Sequence, residues 1–143
     1  MTDLHDAEIE KVYLAQAWEG AVGAVKAAMA LNGGASVAIL AFIGSLLQEK
    51  ARSVNVEHIT LVMMIFCVGL VAAALTQLAA YFTVYCYHQT MGSRRLELPD
   101  EDRWALIGTA IHISGIVLLV ASYGCFVGGA ITFANFARLT LGQ

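Results

Sequence analysis

The feature that most constrains this chain is where its charges are missing. Between Lys26 and Glu49 lie 22 residues without Asp, Glu, Lys or Arg; between Glu57 and Arg94 lie 36, and between Arg103 and Arg138 lie 34. A helix needs ~20 predominantly apolar residues to cross a bilayer. Each run is long enough, and none carries a charge that lipid would have to accommodate. The chain as a whole is 59% hydrophobic and only 13% charged, about half the charge of an ordinary soluble domain. The pattern predicts an all-α integral membrane bundle of three long transmembrane helices in a single domain over residues 1–143.

Chain punctuation places the helices. Thr2 to Asp6 are suited to cap a first helix, and Asp3, Asp6, Glu8 and Glu10 complement its positive end. No proline occurs before Pro99, so this helix is expected to run to about Gln48. Residues 1–26 carry Glu10, Lys11, Glu19 and Lys26 interleaved with Ile9, Val12, Tyr13 and Trp18. They are expected to form an amphipathic extension outside the bilayer, with 27–48 as the first span. The acidic start is the reverse of a cleavable signal peptide's charge pattern, which makes the first apolar run a retained span. EKARSVNVE (49–57) is expected as a polar turn, 59–91 as the second span and GSRRLEL (92–98) as a loop. Pro99 and Asp100 then open a third helix over 100–138.

The small residues carry the packing expectation. Gly23, Ala27, Ala30, Gly34, Ala38, Ala41 and Ser45 recur at spacings of three and four, which holds them on one helix face. Lipid removes the hydrophobic drive between helices and leaves close backbone approach, which small residues allow. Gly69 and Ala73, continued by Thr76, Ala80 and Thr83, form a shorter version on the second helix. Gly124 and Gly128 form a GxxxG on the third. These faces are expected to pack tightly, either within one protomer or between copies in a homo-oligomer. Alanine and glycine are also common in spans that pack nothing.

Asn32 sits within the first run, and Thr76 and Gln77 within the second. Antiparallel pairing across the 49–57 turn sets Asn32 level with Leu75, predicting a hydrogen bond to Gln77 or Thr76. Local bonding to backbone is the alternative. Lys26, Tyr81 and His112 are expected at one depth near the lipid boundary, as a polar interface cluster. His88 and His112 fall ~10 Å apart along the axis, at 1.5 Å per residue, too far to share one haem iron easily. Cys67, Cys86 and Cys125 show neither paired nor zinc-type spacing. No hydrolase triad or phosphate loop is present, and no acid or base lies deep in a span as an ion-coupled carrier requires. No catalytic, cofactor or metal residues are assigned.

ALNGGASVAILAFIG (30–44), followed by two further long spans, resembles a recurrent type of small bacterial inner-membrane protein with an NGGA-type motif in its first transmembrane helix. The likeness is sharp over Leu31 to Gly44. It implies a bacterial inner membrane and transfers no catalytic residues. Five cations (Lys11, Lys26, Arg94, Arg95, Arg103) fall at one end against three (Lys50, Arg52, Arg138) at the other. The richer end, with the N-terminus, is therefore expected on the cytoplasmic side. The functional expectation is a non-enzymatic membrane protein that assembles through its small faces into a homo-oligomer, with a channel as one form. The alternatives are an accessory subunit of a larger membrane complex and, more remotely, a membrane enzyme or haem protein. No nucleic-acid partner is implied.

Overall fold

In a computed structural model that describes residues 2–48, 56–96 and 99–141, three helices account for all but the short turn that joins the last two. They are α1 (Thr2–Gln48), α2 (Val56–Arg95) and α3 (Glu101–Leu141). Side chains of 1–11, 13 and 14, and residues 49–55 with Lys50 and Arg52, most of the expected 49–57 turn, lie outside the described residues, as does much of the expected amphipathic pattern. The stretches long and apolar enough to cross a membrane are Ala15–Ser45, Glu57–Arg95 and Glu101–Arg138. The first of these stretches starts at Ala15, so it takes in Glu19 and Lys26, ahead of the expected 27. Large apolar side chains such as Val37, Met64, Val71, Leu106, Val120 and Ile131 face outward on all three helices. That is the surface a bilayer solvates and water does not.

α2 runs four residues past the expected Met91. Gly92 and Ser93 stay helical with Ser93 buried, and Arg94 and Arg95 in the last turn complement the helix's negative end. The turn is closed by Leu96 N–H donating to Gly92 O and by Arg94 Nε donating to Glu101 Oε1 at 2.7 Å. After Pro99, Trp104 N–H donates to Asp100 O, so α3 opens at the proline–acid signal.

α2 and α3 form the most intimate pair, and α1 lies against α2 more than against α3. Among the described side chains of α3 the buried ones are Gly108, Gly115, Ser122, Gly129 and Phe136, one every seven. A seven-residue repeat keeps one face turned to its partner in left-handed packing. α2 answers with Cys86 against Gly108, Ala79 against Gly115 and the ring of Phe66 against Gly129. A Cβ on Gly129 would stand 2.8 Å from that ring. The glycine is therefore the socket for Phe66.

Lower down, where α1 ends and α2 begins, Ile39, Val62 and Phe66 form the core, with Ile43, Phe126 and Phe133 packed on it. Phe42 meets Phe133 edge-on at 5.5 Å, and His58 stacks on Phe136 at 6.5 Å, geometries that aromatic quadrupoles favour. The bundle is thus closed at this end by rings. From Ile39 toward the other end α1 stays buried at Asn32, Ala28 and Val25, and no described residue of α1 before Val25 is buried. Above that point α1 lifts off the hairpin.

Candidate functional site

Three features of the fold are candidates: a polar node at mid-bundle, the outward face of α1, and the gap where α1 leaves the hairpin.

The node is built on Asn32, fully buried and facing both other helices. Its Nδ2 donates to Ala28 O at 3.0 Å, and to Ser122 O and Ser122 Oγ, each at 3.2 Å. Ser122 Oγ in turn donates to Gly69 O at 2.7 Å. Two of the three acceptors are carbonyls, which fixes which end of the amide is the NH2. Oδ1 is buried and accepts nothing. It lies where a Cβ on Gly69 would stand, and that Cβ would also be 2.7 Å from Asn32 Cγ and 2.9 Å from Cys125 Cβ. One amide, one hydroxyl and one missing side chain therefore tie α1, α3 and α2 together. Tyr123 adds a second tie, its hydroxyl donating to Ala24 O at 2.9 Å.

This corrects the expected bond from Asn32 to Gln77 or Thr76. Asn32 faces Gly69, about six residues short of the expected Leu75, because α1 rides further along α2 than a minimal turn would set it. Thr76 is buried but donates to Ala72 O at 3.0 Å and to Gly115 O at 3.3 Å. Gln77 is exposed. Sequence reasoning missed Ser122; the signal was its place midway in the seven-residue series of α3.

The same offset breaks up the expected interface cluster. With Asn32 facing Gly69, Lys26 falls level with about Leu75, roughly 9 Å short of Tyr81 at 1.5 Å per residue. Lys26, Tyr81 and His112 are each exposed, and no hydrogen bond or ion pair joins them. Tyr81 meets Phe82 edge-on instead. His88 is exposed as well, the three cysteines are free thiols, and no cluster of three metal-ligating side chains exists among the described residues.

The small faces divide. Gly69, Ala73, Thr76 and Thr83 are buried in the bundle. Gly124 and Gly128 pack on nothing within 4 Å of an added Cβ. The GxxxG is displaced from the contact by the neighbouring Gly129. All seven residues of the α1 stripe, Gly23, Ala27, Ala30, Gly34, Ala38, Ala41 and Ser45, are exposed, and Gly23, Gly34 and Gly44 meet nothing within 4 Å. At 100° per residue the stripe is centred about 150° from the face that carries Val25, Ala28, Asn32 and Ile39. It points away from α2 and α3. Ser45, its one polar member, donates to its own helix at Phe42 O.

The gap is a groove of about 460 Å³. Its α1 wall is Ala17, Trp18, Ala21, Val22 and Val25; its floor is α2 from Thr76 to Tyr87 and α3 from Ile111 to Leu119. The lining is almost wholly apolar. Of its hydroxyls, those of Thr76 and Thr83 are already spent on carbonyls of their own helix, Ala72 O and Ala79 O.

Comparison with protein-family models, with curated proteins and with solved structures finds no match to this chain.

Proposed function

We propose that the protein is a non-enzymatic component of a bacterial inner membrane that assembles with copies of itself through the outer face of α1. The observation that carries this is the seven-residue small stripe, exposed over six turns while a different face of the same helix serves the bundle. Lipid tails solvate a bulky apolar side chain better than a row of glycines and alanines. Such a row acquires a purpose where another backbone comes close. The inward polar groups do not favour a water-filled pore within one protomer: Asn32, Thr76, Thr83 and Ser122 are buried and donate to helix carbonyls, so they line no water. Any conducting path would run between copies.

The test is native mass spectrometry in mild detergent, on wild type and on Ala30→Leu, Gly34→Leu and Ala38→Leu combined. The expected result is a wild-type oligomer that falls to monomer in the variant, with helicity and melting of the monomer retained. A wild-type monomer overturns the reading. A stoichiometric foreign subunit in place of self-association would make the protein an accessory subunit whose α1 face receives that partner. Flux across liposomes containing the purified oligomer tests the channel form.

A further inference from the structure

The groove between α1 and the hairpin has two apolar walls that do not meet. Ala17, Trp18, Ala21, Val22 and Val25 fall on one side of α1 and face the floor, yet all of them except Val25 remain at least partly exposed. The floor at Ala79, Ala80, Ile116 and Leu119 is equally apolar. Left empty, both walls forfeit the dispersion contacts a neighbour would supply. Apart from Gln77, His112 and the two bonded threonines, the lining offers water few partners.

The shape narrows the occupant. From Thr76 to Tyr87 the floor rises eleven residue steps, ~16 Å at 1.5 Å per residue. Spread over that length, the groove's volume of about 460 Å³ has a mean cross-section of roughly 30 Å² at 1.5 Å per residue, wide enough for an extended hydrocarbon chain. One end is shut, just past Leu119, where the Tyr123 hydroxyl binds Ala24 O and α1 comes down onto the hairpin. The other end opens at Trp18 and Tyr87, beside Tyr85 and Trp104, which meet edge-on at 6.4 Å. Tyr and Trp in such a band sit at headgroup level. The floor lies wholly inside the charge-free runs of α2 and α3. The side of the groove is open, so a chain can slide in from the bilayer without passing through water.

We propose that this groove is a lipid-binding site that holds one acyl chain of a membrane phospholipid, its headgroup at the Trp18–Tyr87 mouth and its tail end against Tyr123. The lipid would fill the space between α1 and the hairpin. The α1 stripe points away from the groove, so lipid binding and self-assembly use separate faces.

The experiment is native mass spectrometry of the full chain in mild detergent after exchange into defined phosphatidylethanolamine and phosphatidylglycerol nanodiscs. Three single variants accompany wild type. Ala21→Trp and Val84→Trp fill the groove from its two walls; Val120→Trp adds the same bulk to an outward face. All three sites are exposed, so each variant is expected to keep wild-type helicity, checked by circular dichroism. Wild type and Val120→Trp should retain one phospholipid per protomer, and both groove variants should lose it by at least tenfold. Any of three results overturns the proposal: no lipid on wild type, equal retention in all variants, or a different lipophile held in its place. Oligomer mass is read from the same spectra. Failure of the lipid site is thereby separable from failure of self-assembly, and a partner copy's helix filling the groove would appear as an oligomer without lipid.

Discussion

The tightest constraint at the residue scale is the absence of a side chain at Gly69. Asn32 Oδ1, Asn32 Cγ and Cys125 Cβ all crowd the place a Cβ would take. In Gly69→Ala either the amide leaves Ser122 or α1 is pushed outward, at a cost of ~1–3 kcal/mol, the usual range for overpacking. Asn32→Ala clears most of that space, so the double variant is expected to lose less than the two single losses added together. The coupling should fall in the ~0.5–3 kcal/mol range of residues in contact. Reversible unfolding in bicelles measures it, and strict additivity would show that the two residues do not touch. Gly34→Ala is the control. Nothing lies within 4 Å of its Cβ, so protomer stability should hold or rise slightly with alanine's better helix propensity. Ser122→Ala removes the hydroxyl that bridges Asn32 to Gly69 O and should cost about 0.6 kcal/mol, the measured average for hydrogen bonds between membrane helices, and at most ~1.7 kcal/mol.

Among the elements, α3 shows which glycines matter and why the sequence misleads about them. Gly124 and Gly128 have the familiar four-residue spacing but face outward or half outward, whereas Gly108, Gly115 and Gly129 belong to a seven-residue series that meets α2. Gly115→Leu is expected to force the hairpin apart, since a Cβ alone comes within 3.3 Å of Ala79 Cβ. Gly124→Leu should leave protomer melting within ~0.5 kcal/mol, as surface changes generally do. Equal losses at the two positions would refute the seven-residue contact. The existence and extent of the helices were legible because missing charge and a lone proline are local signals. Which face turns inward was not, because lipid is as apolar as the core and the two sides of each span carry the same kinds of residue. Asn32 was recognisable as a buried polar residue. Its partner was not, because the offset between α1 and α2 depends on a turn whose length does not fix how far one helix slides along the other. The α1 stripe was legible as a packing face, and only the bundle reveals that it is the face α2 and α3 leave uncovered.

For the whole molecule, the antiparallel order places the start of α1, the end of α2 and the start of α3 at one end, and Gln48, Val56 and Leu141 at the other. The first end carries Arg94 and Arg95 at the close of α2 and Arg103 in the first turns of α3, with Lys11 and Lys26 on the half of α1 that points the same way. Arg138 stands alone among the described cations at the opposite end. Lysine and arginine counted near the ends of spans bias orientation, while acids contribute little, so Glu101 and Asp102 beside Arg103 do not cancel it. On this count the α2–α3 turn and the N-terminus are predicted to face the cytoplasm. In a variant with Cys67, Cys86 and Cys125 replaced by alanine, a single cysteine at Leu96 should resist a membrane-impermeant maleimide in intact cells and react after lysis. One at Glu57 should react in both. The reverse pattern would invert the topology without disturbing the bundle. Charge reversal at Arg94, Arg95 and Arg103 together is expected to produce mixed labelling, since only Lys11 and Lys26 would then hold the orientation against the cations at the other end.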